Sequence, residues 1–225
     1  MPLVLHGHAF SSYTWKALIA LYANETPFAF HGLTPGDETE TAFLKRAHPA
    51  GKFPVLVDGD TIVIEATSIV EYLAVHHGGS APLIPTDPTE AVTVRMLDRV
   101  FDNYVMSNMQ RVVAAYFLDR DNPMAGPREV PDSGEVEGGK RGLRQAYAWI
   151  ERWLTDNSLP PHVSLVTCAA APSLFYADWI EPIPEDCPRL AALRAELLAL
   201  PAVSHCVEDA RHYRAYFPPG APDRD

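Results

Sequence analysis

Ala50-Gly51-Lys52-Phe53-Pro54-Val55-Leu56-Val57-Asp58-Gly59-Asp60-Thr61-Ile62-Val63-Ile64-Glu65-Ala66-Thr67-Ser68-Ile69-Val70-Glu71-Tyr72-Leu73 is the stretch on which the fold turns. Two apolar, β-branched runs, 53–57 and 61–64, flank Asp58-Gly59-Asp60, a tight-turn signal, and read as two antiparallel strands. Pro54 brings no N–H to a ladder, which places it at the first residue of a strand or in a special turn, with a cis bond as one option. Glu65 ends the second strand, and a helix opens at Ala66 or Thr67, with Ile69, Val70, Leu73 and Ala74 at helical spacing. A carboxylate and the free N–H groups of a helix start therefore meet beside an exposed strand edge at Val55. Such a corner suits an amino acid or short peptide: the edge pairs with its backbone, the N–H groups take its carboxylate, and Glu65 takes its ammonium.

Working outward toward the N-terminus, Leu3-Val4-Leu5 reads as a short buried strand and His6 to Ser12 as the loop leaving it. Trp15, Ala17, Leu18, Leu21 and Tyr22 share a helical face, so a helix runs from Tyr13 to about Asn24 with Ser11 or Ser12 as its cap. Phe28 to Leu33 is a second strand, which gives a βαβ unit, and Thr39 to Ala47 a weaker helix. The resulting order, β-α-β-α-β-β-α, is a thioredoxin-like arrangement over residues 1 to about 78. In the other direction, Pro82 to Pro88 is a proline-rich connector. Beyond Thr89 strand signals fade, and helices are expected at roughly 89–118, 138–157, 164–178, 188–199 and 202–214. The fold expected is an α+β thioredoxin-like domain, 1–80, followed by an all-α domain, 89–217. Asp119 to Gly142 is too long and too rich in Pro, Gly and acidic residues for an ordinary turn, and reads as a mobile flap or a partly helical segment. Pro218 to Asp225 reads as a disordered tail without chemistry.

The chain has 225 residues, 47% hydrophobic and 21% charged, with a formal net charge of −11. That composition reads as soluble and globular, and the charge argues against nucleic acid and anionic membranes as partners. Cys168, Cys187 and Cys206 form no Cys-x-x-Cys pair, so neither a disulfide framework nor a zinc site is indicated, and buried thiols in a reducing cytoplasm are expected. No apolar run approaches membrane-spanning length, and the mature chain is expected to start near Met1. His76 and His77 adjoin, but neighbours on a helix point about 100° apart, and no metal is expected.

The strongest chemical candidate is Ser11-Ser12 at the first helix start. Hydroxyls and first-turn N–H groups there can donate to a thiolate, and the helix dipole favours the anion. A plain capping role is the competing reading of the same residues. Asp98 and Asp102 lie at i, i+4 spacing and read as an acidic helix face in solvent.

The Lys52-Phe53-Pro54-Val55-Leu56 run, the hairpin, and Glu65-Ala66-Thr67-Ser68-Ile69 followed by Tyr72-Leu73 resemble the glutathione-binding half of the cytosolic glutathione S-transferases. Ser11-Ser12-Tyr13-Thr14-Trp15-Lys16 is similar to the Ser-Ser-x-Ser-Trp-Arg run of the zeta class and to the Ser pair of other serine-type classes. The resemblance implies glutathione as co-substrate, held by Lys52, Phe53, Pro54, Val55, Glu65, Ala66 and Thr67, with Lys52 toward its glycyl carboxylate. It makes Ser11 the thiolate stabiliser with Ser12 as runner-up. It also implies a pocket for a small hydrophobic electrophile, for which Phe10, Tyr13, Tyr104 and Met109 are the candidates, and a homodimer. Tyr13 does not inherit the role of a catalytic Tyr, which in other members ends the first strand, where His6 and Gly7 stand here. The absence of Cys at 11 and 12 argues against thiol-reductase chemistry. Two departures stand out: Ala66 replaces a usual Ser, with Thr67 as a partial substitute, and Thr167 replaces the Asp of a buried capping box opened by Ser164, which implies a weaker cap. Three readings follow: conjugation, a zeta-like isomerase or dehalogenase (without the Cys usual at Tyr13), and a non-catalytic binding or structural protein on the same scaffold.

Overall fold

Leu3 and Leu5 bury one face of the first strand, β1 (Leu3–Gly7), in a core shared with Trp15, Leu18 and Leu21 of helix α1 (Ser12–Ala23). The computed structural model describes residues 3–34, 36–119 and 122–225. β2 (Phe28–Gly32) pairs parallel with β1, then follow α2 (Glu38–Ala47), β3 (Val55–Asp58), β4 (Thr61–Ile64) and α3 (Ala66–His76). The sheet order is β2-β1-β3-β4, with β3 antiparallel to both neighbours. The hairpin turn needs a left-handed residue and has it in Gly59, at φ 58°. The Phe53–Pro54 bond is cis. One expectation is corrected here. Val55 is no exposed edge: it is fully buried and pairs with His6 on one side and Ile64 on the other. Strand pairing begins at Val55, so any open backbone lies before it, at exposed Lys52 and Phe53.

The second half starts with α4 (Pro88–Val100), capped by Asp87, whose carboxylate accepts from the N–H groups of Thr89 and Glu90. α4 continues through a π-wound segment, Phe101–Met106, into α5 (Ser107–Ala114). The segment expected as a mobile flap or partly helical carries a small hairpin, β5 (Phe117–Asp119) with β6 (Asn122–Pro127), and then the first turns of a helix, so this half is helical with one added hairpin. α6 (Ser133–Trp153) begins five residues earlier than its apolar pattern suggests, because Asp132 accepts from Gly134 N and Glu135 N at 3.0 and 3.2 Å. Its glycines, which disfavour an isolated helix, are seats for α5: a Cβ at Gly139 would meet Val112 at 2.5 Å, and one at Gly142 would meet Asn108 at 2.2 Å. α7 (Leu165–Ile180) is buried along its whole length; α8 (Pro188–Leu198), α9 (Pro201–Ala210) and a 3-10 segment, Arg211–Tyr216, complete the chain of elements. At the start of α7 the capping box closes despite the missing Asp, with Ser164 N donating to Thr167 Oγ1 at 3.1 Å.

α1 packs against α7 and α9, so one hydrophobic core runs through both halves. The tail is ordered by charge: Arg224 meets Asp178 at 2.9 Å, and Asp225 meets Arg211 and Arg214 at 2.9 and 2.7 Å. All three thiols are buried and unpaired.

Candidate functional site

Ser11 is the N-cap of α1, its Oγ accepting from Thr14 N at 3.2 Å. Accepting uses a lone pair and leaves the hydroxyl proton to donate outward, so cap and thiolate donor are compatible roles for one half-buried side chain. The loop before it is pinned: Trp15 Nε1 donates to Ala9 O at 2.6 Å and Tyr176 Oη to Phe10 O at 3.0 Å. Ser12 is 2% exposed and its Oγ accepts from Gln110 Nε2 at 3.3 Å. Accessibility therefore favours Ser11. Gln110, from α5, was not singled out by the sequence, since nothing local links it to a residue 98 positions away.

At the start of α3, Glu65 adopts φ 68°, ψ 118°, a left-handed conformation that costs a non-glycine residue on the order of 1 kcal/mol or more. It turns the chain from β4 into α3, whose first N–H groups have no intrahelical partner. The Glu65 side chain is 70% exposed and meets His48 at 3.2 Å. Ala50 N donates to His48 Nδ1 at 3.0 Å, which leaves the Nε2–H to donate to Glu65. His48 is a second residue the sequence did not flag. Lys52 and Phe53 are exposed and Pro54 is buried. Ala66 and Thr67 are buried, and the Thr67 hydroxyl accepts from Lys16 Nζ at 2.9 Å and donates to Asp98 Oδ2 at 3.0 Å. Its hydroxyl is thus committed to the interior and does not replace the Ser missing at Ala66.

The same contact ties the first turns of α1 and α3 together. Lys16, with no solvent exposure, also reaches Asp98 Oδ1 and Asp102 Oδ2, each at 2.7 Å. The expected solvent face of Asp98 and Asp102 is therefore corrected: both carboxylates point inward and share one buried cation. Burial raises the Asp102 carboxyl above the usual carboxylate range, Lys16 pulls it back and Asp98 pushes it further up. Its Oδ1 is buried without a hydrogen-bond partner. Tyr13 lies alongside, its phenol pushed up to about 12 by burial, then by Asp102 and Glu65. At neutral pH it is a hydrogen-bond donor and not a base.

The expected electrophile pocket does not assemble as one set. Phe10 sits among Tyr176, Trp179, Tyr213 and Phe217, with ring centroids 5.3 to 6.4 Å away. Met109 is buried in the core at 2% exposure. Tyr104, 59% exposed, lines a separate groove of about 560 Å³ with Arg111, Arg141 and Trp149. Tyr13 and Phe10, both in the loop and first turn of α1, are the two candidates that remain beside Ser11.

A family model for the glutathione S-transferase N-terminal domain matches residues 5–81. A glutathione S-transferase-like protein of Aspergillus aculeatus is 31% identical over 158 residues, 67% of this chain and 67% of the relative. The chain belongs to the glutathione S-transferase family. A probable maleylacetoacetate isomerase of Vibrio cholerae is 27% identical across 93% of this chain and 97% of its own. Among solved structures, a glutathione S-transferase of Methylobacterium radiotolerans in complex with glutathione sulfonate superposes with a TM-score of 0.70 at 25% identity, covering 92% of this chain and 95% of that one. Across its curated relatives in the family the chain spans from 44% to 97% of their length, and about two thirds of those named glutathione S-transferases. No single helix among the described residues is long and apolar enough to cross a membrane.

Proposed function

We propose that this glutathione S-transferase family member binds glutathione and activates its thiol for attack on a small hydrophobic electrophile. The observation that carries the reading is the meeting of two helix starts, those of α1 and α3, joined through Lys16 and Thr67. One presents a capping Ser11 with a proton to give, and the other presents free N–H groups beside an exposed Glu65. A tripeptide with a thiol, a carboxylate and an ammonium fits both at once. In this reading Glu65 takes the γ-glutamyl ammonium, the Ala66 and Thr67 N–H groups take its carboxylate, Lys52 takes the glycyl carboxylate, Phe53 and Pro54 set the backbone beside the ligand, and Val55 anchors that turn to the sheet. Ser11 and the first turn of α1 hold the thiolate, with Ser12 held in reserve behind it. The relative crystallised with glutathione sulfonate supports the choice of ligand. The domains of the reading are 1–80 and 89–217, the compartment is the cytoplasm, and the role is detoxification. A homodimer is part of it: Val75, Val92 and Met96 are 75%, 65% and 43% exposed on α3 and α4, whose faces are joined by the Glu71–Arg95 pair at 2.6 Å.

Calorimetry with glutathione, read beside ultraviolet absorbance of bound thiolate near neutral pH, tests this on the natural protein and on Ser11→Ala. A hydrogen bond to a charged sulfur is worth about 1.5–3 kcal/mol, so the variant should lower kcat/KM toward an aryl halide by about 10–100-fold and lose the thiolate signal. No glutathione binding by the natural protein would reject the enzyme and leave a binding scaffold. A thiolate surviving in Ser11→Ala would move the role to Ser12 or to the helix start.

A second reading, glutathione-dependent cis–trans isomerisation, is favoured by the Ser11-to-Lys16 run and by the full-length likeness to the Vibrio relative. Turnover of maleylacetoacetate with glutathione regenerated, and none of an aryl halide, would select it.

A further inference from the structure

The parallel register of β1 and β2 sets His6 directly opposite His31, with both side chains on one face of the sheet. Leu3 and Leu5 leave β1 on the opposite face, into the core, so this side of the sheet is the one α2 covers. Glu40, in the first turn of α2 and fixed there by the Asp37 cap, points its carboxylate between the two imidazoles. Oε2 lies 2.9 Å from His6 Nδ1 and Oε1 lies 3.4 Å from His31 Nδ1. The ring of Phe43, one helical turn further on, lies against the His6 ring with centroids 4.3 Å apart, and holds it in place. Residues 6, 31 and 40 are far apart in the chain, and nothing in their spacing pointed to this cluster.

We propose that His6, His31 and Glu40 form a site for a divalent transition-metal ion, of which Zn2+ fits the donor set best. Two neutral imidazoles and one carboxylate are borderline donors that suit Zn2+, and disfavour Mg2+ or Ca2+, which take oxygen ligands. With metal–ligand bonds of about 2.0–2.1 Å, ligand atoms around a tetrahedral ion stand about 3.3 Å apart. The two nitrogen–oxygen separations straddle that figure, and all three ligand atoms lie within 4.8 Å of one another. An ion would take the place of the protons now shared with Glu40, and the ligand atoms would close from 4.8 Å at most toward about 3.3 Å. The fourth position opens to solvent on the side of His31, whose side chain is 54% exposed, and a water or an exchangeable ligand completes the shell there. The His6 and Glu40 side chains, 10% and 17% exposed, form the protected wall. Bound metal would fasten β1, β2 and α2 at the end of the sheet from which the chain runs on to Ser11. The site is independent of glutathione chemistry, and its test needs no turnover.

Tag-free protein stripped by chelator is titrated with Zn2+ by calorimetry and with Co2+ by visible absorption, for the natural chain, His31→Ala, Glu40→Gln and, as a control on an exposed histidine elsewhere, His76→Ala. The expected result is one ion per chain, intense tetrahedral cobalt bands and a higher Tm with Zn2+, each unchanged in His76→Ala. His31→Ala and Glu40→Gln should each weaken binding by at least about tenfold. His31 is largely exposed and Glu40→Gln keeps the side-chain shape, so both variants should fold, as circular dichroism will show. Absence of saturable binding by the natural chain, or binding of equal strength in both variants, overturns the proposal.

Discussion

Two charged contacts flank the candidate site, and they are built in opposite ways. Lys16, Asp98 and Asp102 meet in the interior, with the Lys16 and Asp98 side chains fully buried; Glu65 meets His48 with its own side chain 70% exposed. The first joins α1 and α3 of one half to α4 of the other, and its charges are turned inward. The second sits at a strained turn and keeps most of its carboxylate in water, where an incoming ammonium can reach it. Like residue types thus divide into one group that joins the two halves and one that, in the proposed function, meets the ligand, and burial makes the division.

Breaking the interior contact should have the largest effect. Lys16→Met keeps the volume but leaves two buried carboxylates with no cation nearer than Arg99, 3.8 Å from Asp98 Oδ2, and should cost about 3–5 kcal/mol in denaturant unfolding. Asp98→Asn and Asp102→Asn added to that variant should restore most of the loss, because no unpaired charge then remains. If Lys16→Met unfolds like the natural chain, the cluster holds nothing together and the contrast collapses. The exposed contact should behave otherwise. Glu65→Gln should leave stability within about 0.5 kcal/mol while weakening glutathione binding about tenfold in calorimetry, the scale of one charge-assisted hydrogen bond. An equal loss of stability would make Glu65 a structural residue like Asp98.

The smallest effect sharpens the comparison within the buried cluster. Because burial and Asp98 outweigh Lys16, the native Asp102 carboxyl holds its proton more tightly than the unfolded chain does. Its stabilising contribution is therefore complete below the ordinary carboxylate range and is lost as pH rises through its raised native value. Asp102→Asn removes that titration: across this window its Tm should fall less than that of the natural chain, and near pH 7 the two should lie within about 1 kcal/mol. A parallel pair of Tm curves would mean that Asp102 ionises as freely folded as unfolded.

Much of the first half was legible because its signals are local. The turn at Gly59, the strand period and the helix start at Ala66 each lie within a few residues of their cause, and the structure has all three. The Asp98 and Asp102 spacing was also sound, since both do share a face; what the spacing lacked was Lys16, 82 and 86 residues away, a residue type that is rarely buried unless paired. The glycines of α6 misled for a similar reason. Gly139 and Gly142 fall both in the expected helix 138–157 and in the Gly-rich segment 119–142, while the close approach of α5 that requires them is a tertiary fact. The tail at Arg224 and Asp225 reads as solvent-loving by composition until its partners Asp178, Arg211 and Arg214 come near. At the site, Ser11 and Glu65 were readable from helix-start chemistry, whereas Gln110 and His48 reach it from elsewhere in the chain.

The burial of Cys168, Cys187 and Cys206 carries a consequence for selectivity. Burial pushes the Cys168 thiol up to about 12 and raises the other two as well, so at neutral pH each remains a shielded, protonated thiol. An alkylating agent that enters the cleft meets no sulfur nucleophile belonging to the protein, and a thiol brought in by a ligand has no competitor there. A chain proposed to handle reactive carbon compounds in this way keeps its own thiols out of their reach.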